Sequence, residues 1–360
     1  MVQIMVKIVL IGGGHANSLV LLGIYQEHCE LVMINDGPYA YYSGMIPGLI
    51  AKQYTQQQLR IDLQKVCDKH NCLFISQKAV YFNSQEKYIE VADGQRVSYD
   101  IAVVDIGSRN KHISEHIQAC TLPTRPLSSL LARLDEIKSC ESLTIVGGGC
   151  GGIELAFALN SRYPESIIKL VQHGRILPEL SDKARNIILE SCRKRNIQLI
   201  DNSVVDVAPN KVITKDNQII ESELIVWATG AKPHDFACDL EKDSIGYILV
   251  NQNLQTLTSS HVFAAGDCIT MQNSPNYPPK AGVFAVRESE VLIRNIKRII
   301  KAGDINCELE PYIPQVNFLK ILNMCNGQAL AIKWVPFAGR LCWKMKNAID
   351  LGFMKKFNTD

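Results

Sequence analysis

Two distant stretches of the chain repeat the same order of sequence features, and this duplication constrains the fold more than any other pattern. Each has an apolar run, a glycine-rich turn, a helix-like segment and a second short apolar run. These parts fall at residues 8–11, 12–17, to about 27 and 31–34 in the first stretch, and at 143–146, 147–152, to about 160 and 167–171 in the second. The shared order predicts one βαβ unit in each stretch.

The two copies also end alike. Segments 100–107 and 223–230 each begin with an acidic residue, continue as an apolar strand and end with a glycine. A hairpin turn is predicted shortly before each segment, at 93–94 and 216–217. The sequence therefore predicts an α/β fold with two Rossmann-like dinucleotide-binding domains and a small C-terminal α+β region.

The second glycine turn carries a complete dinucleotide fingerprint. Gly147, Gly149 and Gly152 stand at the three positions of the pattern G-x-G-x-x-G. The first glycine permits a tight turn, the second lets the backbone approach a pyrophosphate, and the third lets the helix pack close to the strand. Backbone N–H groups and the helix dipole then face the phosphates, so the turn predicts a dinucleotide site. The alternative is a glycine turn with a structural role alone.

The first glycine turn departs from this fingerprint. It keeps Gly12 and Gly14, but Asn17 stands where the third glycine is expected. An acid about 20 residues after the glycines normally binds the adenine ribose. Here the positions are Asn35 and Asp36, so a ribose contact is available, though not in the usual place.

In the second copy, Gln172 replaces the ribose-binding acid, and His173 and Arg175 follow it. A missing acid with basic neighbours removes the usual repulsion of a 2′-phosphate, so both NADH and NADPH remain open as the nicotinamide cofactor. The alternative for Arg175 is an exposed side chain without a ligand.

Far downstream, residues 262–267 form a further motif that ends in Gly266-Asp267. It resembles the second FAD signature of flavoproteins that bind two dinucleotides, in which the aspartate accepts a hydrogen bond from a ribityl hydroxyl. The alternative is a plain strand and turn in which Asp267 caps the next segment.

Together these motifs resemble the pyridine nucleotide-disulfide oxidoreductase superfamily and, within it, the branch of type II NADH dehydrogenase-like proteins. A closer resemblance is to the flavoproteins that are fused to, or encoded beside, selenide, water dikinase. The matching stretches are 12–15, 42–48, 147–156, 262–267, 279–287 and 343–357.

The resemblance implies FAD in the first unit and a nicotinamide cofactor over the second glycine turn. The implied FAD contacts are Gly12, Gly14, His15, Ala16, Asn35, Asp36, Ser43, Gly44, Pro47, Val80, Gly107, Ser108, Arg109, Gly266, Asp267, Lys280, Ala281 and Val283. The implied NAD(P) contacts are Gly147, Gly149, Cys150, Gly151, Gly152, Glu154, Gln172, Arg175, Thr229 and Gly230.

Two of these residues are also candidate catalytic residues. The resemblance implies that Lys280 lies near the flavin ring and that Glu154 lies near the flavin and nicotinamide rings. The alternatives are a solvated loop lysine for Lys280 and, for Glu154, an acid that the dipole stabilises at a helix start. No metal ligands are predicted.

Cysteine usage bears on how electrons leave the flavin. Twelve cysteines without regular spacing fit a reducing compartment. Cys67 and Cys72 have the C-x4-C spacing of disulfide reductases, but two buried or half-buried thiols are the favoured interpretation. Tyr42-Ser43-Gly44 stands at the flavin-facing position after the first turn, so an acceptor that reaches the flavin directly, such as a quinone, is expected instead of a thiol relay.

The predicted function is that of an FAD-dependent NAD(P)H oxidoreductase of the NADH dehydrogenase or diaphorase type, which passes hydride to FAD and electrons on to a small acceptor. One alternative is a reductase of selenium or sulfur compounds, with a functional link to selenide, water dikinase. For it, Cys150 and Cys268 are the thiols beside motifs. Another alternative is a non-catalytic flavin-based redox sensor that acts through the C-terminal region.

The resemblance also implies that Asp267 belongs with the first copy, and the expected domain boundaries follow from this. The FAD domain is expected at 1–122 and 246–302, with the NAD(P) domain inserted at 123–245. The C-terminal domain is expected at 303–360, with a strand-rich part from Tyr312 to Trp334.

The last segment, 340–357, mixes aromatic and apolar residues with basic ones on one predicted helix. It could rest on a membrane surface, but packing onto the protein's own core or onto a partner chain, as in a homo-oligomer, is the favoured interpretation. No run approaches the ~18 apolar residues needed to cross a bilayer. A cytoplasmic protein is expected, with contact at the inner face of a membrane as the alternative. The net charge of +2 gives no reason to expect a nucleic acid partner.

Overall fold

The first unit is built on strands that are apolar on both faces, as a parallel sheet covered by helices requires. Ile8, Leu10 and Ile11 in its first strand are at most 1% exposed. The structure is a computed structural model and describes residues 5–134, 137, 140–273 and 277–358. Up to the first crossing, the elements are β1 (Val6–Ile11), α1 (His15–Ile24), β2 (Cys29–Ile34), β3 (Tyr39–Tyr41), α2 (Ile46–Ile50), β4 (Arg60–Asp62), α3 (Leu63–Lys69), β5 (Cys72–Ile75), β6 (Ala79–Asn83), β7 (Tyr88–Val91), β8 (Arg96–Ser98), β9 (Ile101–Val104) and β10 (Ser108–Asn110).

The second unit repeats this arrangement. Its elements are α4 (Glu115–Cys120), β11 (Leu122–Pro123), α5 (Leu127–Ala132), β12 (Ser142–Val146), α6 (Cys150–Arg162), β13 (Ile167–Gln172), α7 (Asp182–Lys194), β14 (Gln198–Asp201), β15 (Val204–Ala208), β16 (Lys211–Thr214), β17 (Ile219–Glu221), β18 (Leu224–Trp227) and β19 (Ala231–Pro233). The chain then returns to the first unit through β20 (Ala237–Cys238), β21 (Ile248–Val250), β22 (Val262–Ala264), β23 (Ile269–Met271) and α8 (Gly282–Ala302).

The strand orders show how the two units correspond. The first sheet has the order β22-β9-β1-β2-β5 and the second the order β11-β18-β12-β13-β14, with parallel neighbours. An antiparallel meander accompanies each sheet, β6-β7-β8 in the first unit and β15-β16-β17 in the second. The two predicted βαβ units and both predicted hairpins are therefore confirmed, and the glycine turns follow equivalent strands, β1 and β12.

The chain crosses between the units through an antiparallel ribbon of β10 and β19, in which Ser108 pairs with Pro233. Strand β11 already belongs to the second sheet, where Leu122 pairs with Val226. Strand β20 is back in the first unit, where it pairs with β6. The crossings thus come earlier than the expected boundaries at 122/123 and 245/246, because Leu122 and Pro123 already pair with the second sheet and β20 already pairs with the first unit.

The C-terminal region is an antiparallel sheet with one helix across it, as the expected α+β class requires. Its elements are β24 (Lys320–Asn323), β25 (Ala329–Ile332), β26 (Phe337–Gly339) and α9 (Arg340–Lys355). The strands begin and end later than the expected strand-rich part. One side of α9 is buried through Cys342, Phe353 and Met354, so packing onto the protein's own core, the favoured interpretation of the tail, holds for that side. Within the described ranges, no helix has the length and apolar character to span a membrane.

Candidate active site

A cleft of about 1320 Å³ runs between the two units and contains both glycine turns. This volume exceeds the ~300–1,000 Å³ of an ordinary small-molecule site, so the cleft has room for two extended ligands. The predicted site residues that line it are Gly12, Gly14, His15, Asn35, Asp36, Ser43, Pro47, Val80, Gly107, Ser108, Arg109, Gly266, Asp267, Lys280 and Ala281 from the first unit, and Gly147, Gly149, Cys150, Gly151, Glu154, Gln172, Thr229 and Gly230 from the second.

Five of the predicted site residues do not line the cleft. They are Ala16, Gly44, Gly152, Arg175 and Val283. Ala16 and Gly152 lie behind the turns, where they are buried. Val283 lies in the first turn of α8. Arg175 is exposed and forms an ion pair with Asp182.

The first glycine of each turn is required by the turn itself. Gly12 has a φ of +89° and Gly147 a φ of +120°, which side-chain-bearing residues rarely adopt. A Cβ on Gly12 would also overlap the backbone oxygen of Asp105, and one on Gly147 would lie 2.5 Å from the backbone oxygen of Ala228. These matched clashes confirm the predicted tight turns and show that Asp105 and Ala228 occupy the same place in the two copies.

The two copies differ at the third fingerprint position. A Cβ on Gly152 would overlap the backbone oxygen of Gly147, so α6 packs against its turn as the fingerprint predicts. In the first copy, the fully buried Asn17 amide donates to the carbonyls of Ile11 at 3.0 Å, Gly12 at 2.9 Å and Val103 at 3.1 Å. Asn17 therefore joins α1 to β1 and β9 by hydrogen bonds, at the position where a glycine would let the helix and strand backbones touch directly.

The position of the ribose-binding acid holds an amide in both copies, and both amides do the same thing. Asn35 Oδ1 accepts the Gly13 N–H at 2.7 Å, and Gln172 Oε1 accepts the Gly148 N–H at 2.7 Å. Each amide thus orients the middle residue of its glycine turn. The sequence does contain this signal, since an amide follows or ends the second strand in each copy, but a shared role was not predicted.

Asp105 is a functional candidate that sequence reasoning missed. It follows β9, and its Oδ2 accepts the backbone N–H groups of Ala16 at 2.8 Å and Asn17 at 3.2 Å, at the start of α1. Its side chain is buried, and burial raises its pKa to about 7 although these hydrogen bonds oppose the shift. A carboxyl group that titrates near neutrality therefore stands behind the first glycine turn.

The aspartate of the second FAD motif has partners within the cleft. Asp267 Oδ2 accepts a hydrogen bond from Ser108 Oγ at 3.0 Å and forms an ion pair with Arg125. Arg125 Nη1 also donates to Ser108 Oγ at 2.5 Å. Asp267 is therefore held by side chains that face the cleft, and no described hydrogen bond supports the alternative of a cap on the next segment. Arg125 was not predicted, since its position after β11 carries no motif.

Lys280 and His15 line the cleft where α8 and α1 begin. Lys280 Nζ donates to the carbonyl of Ile269 and lies 4.3 Å from the ring centroid of Tyr247. Burial lowers the pKa of Lys280, which disagrees with the alternative of a solvated loop lysine. The His15 ring lies 5.4 Å from both Tyr42 and Phe353, and its buried Nε2 has no protein partner among the described residues.

Glu154 connects the second unit to the C-terminal region. Its Oε1 accepts the Asn323 N–H at 2.7 Å, and burial raises its pKa to about 7, while Lys346 on α9 opposes the shift. Lys346 itself is buried, pairs with Asp350 at 2.8 Å and donates to the Gly44 carbonyl at 2.9 Å. The sequence indicated only a basic amphipathic tail, so this contribution of α9 to the site was missed.

The cysteines match the expectation of free thiols. Cys67 and Cys72 are free and at most 5% exposed. Cys268 is also buried, and burial raises its pKa to about 12. Cys150 Sγ donates to Glu179 Oε1 at 3.0 Å, and burial raises its pKa above its usual value. The pKa values of Cys72, Cys150 and Cys268 are all raised, whereas a reactive cysteine has a lowered pKa.

The fold and the cleft define an oxidoreductase architecture with two dinucleotide sites. Residues 6–288 match the family described as "Pyridine nucleotide-disulphide oxidoreductase", and the chain belongs to it. The NADH dehydrogenase-like protein YutJ of Bacillus subtilis is 23% identical over 293 residues, which cover 76% of this chain and 79% of that protein. The type II NADH:quinone oxidoreductase of Haemophilus influenzae is 27% identical over 56% of this chain and 59% of its own length.

Among solved structures, NDH2 from Plasmodium falciparum in complex with NADH superposes with a TM-score of 0.83 at 15% identity, over 98% of this chain and 97% of that one. This likeness shows the fold. Membership of the family makes the chain a flavin-dependent NAD(P)H oxidoreductase with FAD and NADH as its cofactors. The predicted enzyme class and fold class are thus confirmed. The resemblance to flavoproteins paired with selenide, water dikinase remains a prediction.

The residues of the cleft fit these cofactors. A Cβ on Gly149 or Gly151 would meet nothing within 4 Å, so the second turn leaves open space beside its backbone N–H groups for a pyrophosphate. In the first turn, Gly14 and His15 line the same cleft, and the buried Nε2 of His15 has no partner among the described residues. Each glycine turn thus supplies the backbone that one dinucleotide needs.

Proposed function

We propose that this protein oxidises NAD(P)H through FAD and passes the electrons directly to a quinone or another small acceptor. The observation that carries the proposal is the single cleft that joins the two glycine turns. FAD, when bound, supplies the chemistry by accepting a hydride and releasing electrons. The residues named for FAD would hold it along the first turn and Asp267, and those named for NAD(P) would hold the nicotinamide cofactor along the second turn.

The protein's own side chains orient the ligands and handle protons. Lys280, just before α8, and Glu154, on α6, both line the cleft, and Glu154 also accepts the Asn323 N–H of the C-terminal region. Because burial raises the pKa of Glu154 to about 7, its carboxyl group can hold a proton at neutral pH and give it to a reduced acceptor. Both residues thus keep the candidate catalytic roles proposed for them.

The C-terminal region supports a small, lipid-soluble acceptor. Helix α9 packs next to the residues that line the site, because its Lys346 pairs with Asp350 and donates to the carbonyl of Gly44, beside Ser43. On α9, Leu341 and Ile349 are 71% and 48% exposed, and Trp334, between β25 and β26, is 82% exposed. An apolar surface flanked by the exposed lysines 344, 355 and 356 suits the interface of a membrane in which quinones dissolve. We therefore propose that the tail contacts a membrane surface while its buried side completes the site.

The test is an anaerobic absorbance titration of the purified protein with NADH and, separately, NADPH, followed by a soluble quinone. We expect a flavin band near ~450 nm that bleaches with reduced nicotinamide and returns with quinone. A protein that contains flavin but does not bleach would contradict the oxidoreductase proposal. Bleaching without recovery by any quinone would leave the first half-reaction and overturn the proposed acceptor.

The alternative of a selenium or sulfur reductase makes a different prediction about thiols. Under that alternative, replacing Cys150 and Cys268 together with serine abolishes turnover. Because both thiols have raised pKa values, with burial as the main cause, we expect the Cys150→Ser/Cys268→Ser variant to keep quinone reductase activity within about two-fold of wild type. The measurement is steady-state NADH oxidation with a soluble quinone. Loss of activity with normal flavin content would favour the thiol mechanism and, with it, the functional link to selenide, water dikinase.

A further inference from the structure

The surroundings of Asp105 set the first glycine turn apart from the second. Asp105 follows β9 at the place where Ala228 follows β18, as the matched contacts of Gly12 and Gly147 show. In the first copy the carboxylate accepts two N–H groups at the start of α1. The second copy has the methyl group of Ala228 there, so this position supplies no carboxylate to the start of α6.

Space for the Asp105 carboxyl group is made by glycines on two sides. A Cβ on Gly14 would overlap its oxygens, and a Cβ on Gly266 would lie 2.5 Å from its Oδ1. Both glycines line the cleft, as Asp105 itself does. The carboxyl group therefore lies directly beneath the surface on which the fingerprint places a pyrophosphate.

A bound pyrophosphate would bring negative charge to a site that already holds a carboxyl group. Both anions are attracted by the same helix N-terminus, and each disfavours the charged form of the other. A protonated Asp105 removes this repulsion and gains an O–H donor for a phosphate oxygen. A deprotonated Asp105 would instead compete with the cofactor for the positive end of α1.

We propose that Asp105 is a cofactor-binding residue that takes up one proton from solvent when FAD binds. The inference rests on FAD occupying the first turn. The expected consequence is an FAD affinity that is independent of pH in mild acid and falls as the pH rises. The second turn, with Ala228 in place of the aspartate, gives nicotinamide binding no such dependence from this position.

The direction of this pH dependence follows from the linkage between proton binding and FAD binding. Burial raises the pKa of Asp105 to about 7 before any cofactor binds, and a pyrophosphate raises it further. Below about pH 7 both states carry the proton and the affinity is constant. Above that pH the free protein loses the proton that the complex keeps, so the dissociation constant for FAD rises by about ten-fold per pH unit.

Other titratable groups face the same place and must be separated from Asp105. Glu288 on α8 accepts the Gly266 N–H at 2.6 Å, and burial raises its pKa to about 8. Asp267 and the buried thiol of Cys268 lie on the turn after β22. Lys280, His15 and Arg125 face Asp267 from the loop before α8, from α1 and from the segment after β11. All of them remain unchanged in an Asp105→Asn variant.

The experiment is a calorimetric titration of FAD into the full chain stripped of flavin. Two buffers with different heats of ionisation, used at about pH 8, report protons taken up per FAD. We expect about one proton for wild type and for the control Glu288→Gln, and close to none for Asp105→Asn. The amide of the variant can still accept the N–H groups of Ala16 and Asn17. At about pH 9 the variant should bind FAD up to about 100-fold more tightly than wild type.

Three outcomes overturn the inference. They are FAD binding by wild type without proton uptake, uptake that persists in both Asp105→Asn and Glu288→Gln, and uptake that disappears in Glu288→Gln but not in Asp105→Asn. The first would make Asp105 a permanent charged cap of α1, and the others would assign the proton to a neighbour. A chain that binds no FAD at any pH would instead remove the proposed function on which the inference rests.

Discussion

Replacing Gly12 with alanine should leave the purified protein without bound flavin. The alanine would have to adopt a φ near +89°, which costs about 1–2 kcal/mol, and its Cβ would overlap the backbone oxygen of Asp105. Because that oxygen belongs to the end of β9, relief requires the turn or the strand to move. The measurement is the ratio of flavin to protein absorbance after purification.

The matched control is Gly352→Ala, in α9, where an added Cβ meets nothing within 4 Å. It should keep a wild-type flavin ratio, which separates the effect of the turn from that of an added methyl group. If Gly12→Ala retained wild-type flavin with unchanged affinity, the first turn would not be where FAD binds. Circular dichroism of the same samples would show whether the variant remains folded.

Replacing Gly152 with alanine should leave the flavin bound but weaken the reduction of that flavin by NADH. A Cβ there would overlap the backbone oxygen of Gly147, which forces α6 away from its turn and misplaces the N–H groups that face the phosphates. Overpacking of this kind costs about 1–3 kcal/mol, which corresponds to about 5–150-fold in affinity. The measurement is the NADH concentration needed for half-maximal anaerobic bleaching.

Gly352→Ala again serves as the control, and it should bleach at the wild-type NADH concentration. Loss of flavin in Gly152→Ala, with normal NADH response of the remainder, would contradict the assignment of the second turn to the nicotinamide cofactor. Taken as a pair, the two glycine variants assign one cofactor to each turn without any need for a bound structure.

The parts that sequence predicted well are local ones. The turn glycines and the strands around them were found because a strand, a positive φ and a helix start leave their mark within about ten residues of one another. Gly12 and Gly147 illustrate this, since each is fixed by its own backbone conformation and by one neighbouring strand.

The parts that sequence missed depend on distant pairs. Arg125 acquires its role from Asp267, and Glu154 acquires its environment from Asn323 and Lys346. No motif near Arg125 or Glu154 in the sequence indicates those partners. Asp105 could have been found by comparing the two copies, because the repeat aligns it with Ala228 and so marks a buried acid that only one turn possesses.

The expected domain boundaries were displaced for a related reason. Prolines at 123 and 126 are typical of a linker between domains. However, Leu122 pairs with Val226 and is therefore part of the second sheet. Sheet membership is set by pairing across more than 100 residues of chain, which proline content does not report.

The ribbon of β10 and β19 has a consequence for how such a protein can arise and be rebuilt. Because Ser108 and Pro233 are paired neighbours, the chain leaves the first unit and returns to it at the same place. A duplicated gene segment inserted at this ribbon would therefore leave the strands of the host sheet in place. By the same geometry, a short turn that joins Asn110 to the position of Ala231 should close the first unit into a separate module.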